Sequence, residues 1–286
     1  MKPTHILLAL ILTILAAYAA TLASRPPRIE TVEKLFQGIT YSRLIRSTPR
    51  PLVVHIVDID LTAPGVQFLV TPGDTRCGLE FCAMTTGAFV KKYDLQLAIN
   101  GGFFDPFDAS LFNYYPRTYD PVNIRGLVIS NSIRYSEDDE RFARLCFTPT
   151  EAQITWGECP IHTTQALAGG EMIVQDGAAR DLSYDSAFQP RTAVAGGNDG
   201  QRVWLIVVDG RQKNYSEGVS LNELASLIVD LGATTALNMD GGGSTTLVVS
   251  KNGIHPLNSP IHTRIPLRQR PIANHLGVYA IPLPRP

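Results

Sequence analysis

Val203-Trp204-Leu205-Ile206-Val207-Val208 is an unbroken apolar run followed at once by Asp209-Gly210-Arg211. A run this rich in β-branched and aromatic residues, closed by a turn signal, reads as a strand, and its density places it in the middle of a sheet. Other segments follow the same design. Residues 52–59 mix a buried run with alternation, and the Ala63-Pro64-Gly65 turn predicts a hairpin with 66–70. Residues 95–99 form a short buried strand and 274–281 a closing one. Further strands are expected at 144–147, 153–155 and 171–174, with a hairpin of 126–130 and 132–134 around Asn131.

Helical patterns are fewer. Ser220 and Glu223 form a capping box ahead of a helix to about residue 231, with Leu221, Leu224, Ala225, Leu227, Ile228 and Leu231 on its buried face and Gly232 ending it. Residues 85–93 also look helical, with Lys91 and Lys92 at the carbonyl end. These elements predict an α+β fold: a mixed, mostly antiparallel β-sheet core with a few flanking helices. With 286 residues and a hydrophobic fraction of 44% there is material for a sizeable core. The chain divides into 1–24, a linker with first elements over 25–50, and a main domain over 51–286.

Residues 6–22 are apolar apart from Thr13, Tyr18 and Thr21, behind Lys2 and His5. This segment is a signal peptide or an N-terminal membrane anchor. It falls short of the roughly 20 residues a comfortable span needs, and Thr21-Leu22-Ala23 resembles a cleavage site before Ser24. Either way the folded part is expected outside the cytoplasm, periplasmic or secreted. The four cysteines agree: in an exported protein they read as disulfides with three possible connectivities, and the local pairs Cys77/Cys82 and Cys146/Cys159 each bracket a turn-rich segment. Zinc ligation is the rival reading, without the short C-x-x-C spacing. A formal net charge of −1 gives no basis for nucleic-acid binding and points to a carbohydrate or other small-molecule substrate.

The stretch 236–250 carries the chemistry. An apolar run delivers Asp240, then Gly241, Gly242 and Gly243, then Ser244, Thr245 and Thr246, then another strand-like run. Consecutive glycines weaken a fold, so they mark either a tight hairpin turn or a place where a ligand approaches the backbone. Residues 95–99 end similarly, in Asn100-Gly101-Gly102-Phe103-Phe104. Apolar strands therefore end in Asn100-Gly-Gly, Pro190-Arg-Thr, Asp209-Gly-Arg and Asp240-Gly-Gly-Gly, and such ends often converge on one site. The guanidinium forks of Arg191 and Arg211 suit a phosphate or carboxylate. Asp209 and Asp240 suit acid–base work at a glycosidic centre, or an oxygen-ligated divalent cation such as calcium or magnesium. Residues 105–123, mixing aromatic and polar types, are read as a long ordered surface loop that rims a sugar site or packs on itself.

In order and spacing, Asn100 to Phe104, Pro190 to Val194, Asp209 to Arg211, Ser220 to Glu223 and Asn238 to Thr246 resemble the phosphodiester glycosidase family. The resemblance spans 53–280 and implies hydrolysis of the bond between a sugar anomeric carbon and a phosphodiester, with an envelope or exopolysaccharide glycan as a candidate substrate. It departs from the family pattern at Glu171 and Ala195. On this reading Arg191 and Arg211 clamp the phosphate, and Asp240 and Asp209 act as acid and base. Asn100, Gly101, Gly102, Asn238, Gly241, Gly242, Gly243, Ser244 and Thr245 bind the sugar phosphate. The alternatives are a non-catalytic envelope-glycan binder and a glycoside hydrolase whose arginines read a uronate.

Overall fold

A computed structural model of the chain describes residues 3–109, 114–182, 184–197 and 199–284. Lys2 and part of the 105–123 loop, 110–113, lie outside them. Among the described residues the fold is α+β, dominated by antiparallel sheets with three α-helices: α1 (Pro3–Ala23), α2 (Thr86–Tyr93) and α3 (Leu221–Asp230).

The main sheet has eight strands. From one edge they are Thr31–Phe36, Ile39–Arg46, Leu52–Asp60, Arg202–Val208, Arg191–Gly196, Thr235–Asn238, Met172–Gln175 and Ala178–Ala179. A five-stranded sheet has the order Ile254–Pro256, Leu247–Ser250, Leu97–Asn100, His275–Tyr279 and Gln67–Val70. The two sheets share the largest core, where Val57, Ile59, Leu205, Val207, Leu97, Ile99 and Leu276 meet. Alternate residues of the same strands, Val54, Ile56, Trp204 and Ile206, turn the other way and pack under Leu224 and Ile228 of α3. Ala98 and Val248 likewise pack against Phe89 and Val90 of α2. With both faces covered, these strands are apolar at most positions, which is why they read as near-continuous runs; His55 is an exception, buried with polar partners. A third sheet of five strands carries the hairpin around Asn131, whose φ is +51°.

Helix α3 has the full capping box: Ser220 Oγ accepts from the Glu223 N–H at 3.2 Å, and the Glu223 carboxylate accepts from the Ser220 N–H at 3.0 Å. Both disulfides are local, Cys77–Cys82 and Cys146–Cys159, with Cα separations of 5.5 and 5.7 Å. The segment Thr4–Ala23 is long and apolar enough to cross a membrane and packs against nothing else. The tether behind it is fastened: Arg25 lies over the Tyr215 ring at 4.3 Å and Tyr215 Oη donates to the Pro26 carbonyl at 3.0 Å.

The expected hairpin of 52–59 with 66–70 does not form. Leu52–Asp60 pairs with Ile39–Arg46 and Arg202–Val208, while Gln67–Val70 crosses to the other sheet and pairs with His275–Tyr279. The turn at 63–65 joins two layers rather than two neighbours. Thr31–Phe36, within the 25–50 span of linker and first elements, is an edge strand whose exposed Val32, Glu33 and Lys34 mask its pattern. The loop 105–123 contains short strands, among them Asp108–Ala109 paired with Tyr114–Tyr115.

Candidate active site

The four strand ends meet. The starts and ends of Arg191–Gly196, Arg202–Val208 and Thr235–Asn238 lie side by side in the main sheet, and Leu97–Asn100 of the five-stranded sheet is tied to them by Asn100. This side chain is fully buried. Its Oδ1 accepts from Thr192 Oγ1 at 2.7 Å and from the Thr246 N–H at 3.1 Å, and its Nδ2 donates to the Asp240 carbonyl at 2.6 Å. The Asp240 N–H in turn donates to the Gly101 carbonyl at 3.1 Å. Asn100 thus sets the position of Asp240, and its polar groups are spent inside the protein instead of on a ligand.

The glycines have the same kind of explanation. A Cβ on Gly101 would sit 2.2 Å from Asn274 Oδ1, and one on Gly102 only 2.1 Å from the Ala168 carbonyl. Close packing against Asn274 and the Ala168 carbonyl is reason enough for those two to be glycine. The Gly242–Ser244 turn is different. Gly242 has φ +61°, and a Cβ there would meet Arg211 Nη2 at 3.0 Å; one on Gly243 would meet Arg270 Nη2 at 2.5 Å. The loop is bare so that two guanidinium groups can lie against it. Arg270 Nη1 donates to Ser244 Oγ at 3.1 Å, and its guanidinium carbon lies 4.7 Å from the Phe107 ring centroid. Arg211 donates to Gln189 Oε1 at 2.6 Å. Although Arg211 keeps an edge open to solvent, crowding by protein, then by Arg270, Arg191 and Arg264, lowers its pKa.

Asp240 is half-buried and lines a pocket of about 240 Å³ with Phe103, Phe104, Asp105, Phe107, Arg125 and Arg270. At roughly 30 Å³ per water that is the space of a single sugar ring. Larger hollows exist, such as one of about 770 Å³ bordered by Glu151, Asp176 and Asp199 and one of about 720 Å³ bordered by Arg76, Lys91 and Lys92, but neither is lined by Asp240 or by the arginines beside the glycine loop. Burial pushes the Asp240 carboxyl above the ordinary carboxylate range, and hydrogen bonds from Ser244 and the Gly241 N–H (2.8 Å), with Arg270 nearby, only partly oppose this. Asp105 goes the other way. Its two oxygens take Nε and Nη2 of Arg125, the latter at 2.6 Å, and these bonds hold it below that range. One pocket therefore holds a carboxyl that favours its proton and a carboxylate that favours its charge, the division of labour that acid–base catalysis uses.

Other sequence-predicted site residues face elsewhere. Asp209 is buried: Oδ2 meets His55 Nε2 at 3.0 Å, and Oδ1 accepts from Asn258 Nδ2 at 3.0 Å and the Ser259 N–H at 2.9 Å. His55 continues to Tyr41 Oη at 2.8 Å, and Asn258 takes the Leu247 N–H at 2.8 Å. Asn258 Nδ2 also donates to the Thr245 carbonyl at 3.3 Å, so Asp209 is linked to the end of the glycine loop through Asn258. Arg191 is also buried, with Nη2 on Asp185 Oδ1 at 2.9 Å and the Ala187 carbonyl at 3.1 Å and Nε on the Val219 carbonyl at 3.3 Å. Nε and Nη2 are thus taken up within the protein, and Arg270 supplies a second guanidinium beside the loop. Asn238 and Thr245 are buried, and neither Asn238 Oδ1 nor Thr245 Oγ1 has a partner among the described residues. Glu171, the departure from the pattern, accepts from Tyr184 Oη.

Asp105, Arg125 and Arg270 were not singled out from the sequence. Asp105 directly follows the Asn100-to-Phe104 motif, and Arg264, Arg268 and Arg270 crowd one short stretch that otherwise reads as loop. Those were the available signals. Among the described residues no three His, Cys, Asp or Glu side chains gather as metal ligands.

Compared with known proteins, residues 93–279 match the phosphodiester glycosidase family. No curated protein matches the sequence. Among solved structures, a hypothetical protein from Synechocystis superposes with a TM-score of 0.63 at 15% identity over 90% of this chain, which spans 64% of that one. The catalytic domain of zebrafish N-acetylglucosamine-1-phosphodiester alpha-N-acetylglucosaminidase, auto-inhibited by its pro-peptide, gives 0.59 at 18% identity, covering 91% of this chain and 87% of that one. A putative exported protein from Burkholderia pseudomallei gives 0.57 at 13% identity, covering 83% and 76%. At these identities the likeness is one of fold.

Proposed function

Since the chain belongs to the phosphodiester glycosidase family, we propose that it hydrolyses the bond between a sugar anomeric carbon and a phosphodiester. The observation that carries this is that Asp240 and Asp105 line one sugar-sized pocket together with Arg270. In this reaction Asp105 takes a proton from water as its oxygen adds to the anomeric carbon. The electrons of the breaking C–O bond go to the phosphate oxygen, which receives the proton of Asp240. Arg270 and Arg211 stabilise the charge that grows on the leaving phosphate, where preorganised donors matter most. Phe103 and Phe107 offer apolar faces to the ring.

The apolar Thr4–Ala23 helix and the two disulfides support work outside the cytoplasm, with the helix as signal peptide or anchor. An envelope or exopolysaccharide glycan carrying sugar 1-phosphodiesters is the substrate class this favours. N-acetylglucosamine, named for the zebrafish enzyme, is the first sugar to try. The test is sugar release from glycosyl-1-phosphodiesters by the full chain, beside phosphate-free glycosides and a chelator arm. Release only from the phosphodiesters supports the reading. Release only from phosphate-free glycans, or binding without turnover, overturns it. Loss of turnover on chelation would bring a divalent cation back.

A further inference from the structure

Around the glycine loop the cations outnumber what one phosphodiester can neutralise. Among the described residues Arg211, Arg264, Arg268 and Arg270 form no salt bridge. They nevertheless lie close enough to influence the same groups. Arg211 feels Arg270 and Arg264, and the buried His262 feels Arg270 and Arg268. His262, pushed down to about 3 by burial and then by those two arginines, adds no charge of its own. Of the nearby carboxyl groups, Asp185 is taken by Arg191, which leaves Asp240 as one carboxyl beside Arg211 and Arg270.

The segment that presents these arginines is built rigidly. The His262 N–H donates to the Arg268 carbonyl at 3.1 Å and the Ile265 N–H to the His262 carbonyl at 3.0 Å, closing it on itself. Thr263, Arg264 and Leu267 hold φ values of +52°, +61° and +64°, and Arg211 holds +58°. Such conformations are unfavourable for residues with side chains and persist where the surroundings impose them, which is frequent at ligand sites. Arg264 and Arg268 do not line the sugar-sized pocket, whereas Arg270 does. Their segment packs on the Gly242–Ser244 turn, so they extend the cationic surface beyond the pocket; both side chains are exposed, and Arg268 Nη1 donates to Thr263 Oγ1 at 2.9 Å. A guanidinium cluster without counter-charge repels itself, and a ligand that supplies the charge binds by relieving that repulsion.

We propose that the substrate carries a second phosphoryl group on the leaving-group side of the scissile phosphodiester, and that Arg264 and Arg268 receive it. This rests on the phosphodiester reading above and narrows it: the leaving group is itself phosphorylated, through a pyrophosphate or through the next phosphodiester of a repeating glycosyl phosphate. A neutral alkyl leaving group would leave both arginines uncompensated.

The test separates the two ideas by using probes that need no turnover. Inorganic phosphate and pyrophosphate are titrated calorimetrically into the full chain at fixed ionic strength, then into R264Q/R268Q and into a remote control, R76Q/R202Q. Pyrophosphate is expected to bind more tightly than phosphate by about tenfold or more, the scale of one added charge-assisted interaction. That ratio should fall to near one in R264Q/R268Q and persist in the control. Among substrates, a pyrophosphate-linked sugar and a two-unit glycosyl phosphate then tell which spacing the loop accepts. Equal binding of the two anions by the wild-type chain, or an unchanged ratio in R264Q/R268Q, overturns the second phosphoryl site while leaving single-phosphodiester hydrolysis untouched. Sugar release from a simple phosphodiester tests that reaction separately.

Discussion

Gly243 gives the sharpest handle on the site. In G243A the added methyl would stand 2.5 Å from Nη2 of Arg270, 2.9 Å from Cζ and 3.1 Å from Nε. Carbon does not tolerate such contacts, but the obstructing atoms end a flexible side chain, so the guanidinium moves and the backbone stays. The move breaks the 3.1 Å bond to Ser244 Oγ and takes the group off Phe107. A hydrogen bond to a charged group is worth about 1.5–3 kcal/mol. Withdrawing one from the leaving phosphate therefore lowers kcat/KM roughly ten- to a hundredfold. Steady-state kinetics on a glycosyl-1-phosphodiester, with a melting curve of the same sample, measures both sides. The melting temperature should change by no more than about 3 °C. R270Q should lose activity to the same degree, and adding G243A to it should cost little more. The contrasting variant is G101A, whose methyl meets the Asn274 carbonyl at 2.7 Å as well as its side chain; backbone cannot step aside, so it should destabilise strongly. Undiminished kcat/KM in G243A would refute the claim that the loop is bare for Arg270. Equal destabilisation by both variants would refute the distinction between the two glycine pairs.

Four further outcomes follow from the same geometry. D240N should lose turnover yet melt higher than wild type at neutral pH. Its raised carboxyl pKa means that the stability it contributes is complete below the ordinary carboxylate range and lost as pH rises through the raised value, so the gain in D240N fades below about pH 4. The kcat/KM profile should be bell-shaped, falling in acid as the lowered Asp105 gains a proton and falling at higher pH as Asp240 gives one up. D209N should lose stability together with activity, by about 3 kcal/mol or more in denaturant melts, because a buried carboxylate that accepts from His55, Asn258 and Ser259 cannot be matched by an amide; a fully stable, inactive D209N would assign Asp209 to catalysis. Reducing Cys146–Cys159, which closes a loop of sequence separation 13, should cost about 3 kcal/mol and lower the melting temperature.

Local physics decided what could be read from the chain alone. The apolar runs at Leu52–Asp60 and Arg202–Val208, the Ser220–Glu223 capping box, the hairpin around Asn131 and the close cysteine pairs all depend on neighbours a few positions away. That each motif-bearing strand finishes in polar sequence is equally local, whereas the meeting of those ends depends on how the two sheets stack. Which group faces a ligand depends on partners far along the chain. Asn100 is claimed by Thr192 and by the Asp240 carbonyl, 92 and 140 positions away, and Asp209 by His55 at a separation of 154. Nothing in the residues around Asn100 or Asp209 announces those bonds, so both look like free site groups until the sheets are stacked. The glycines after Asp240 show the division most clearly. Their number and place mark a close approach, and only the packing of the 262–270 segment decides that the approaching groups are Arg211 and Arg270.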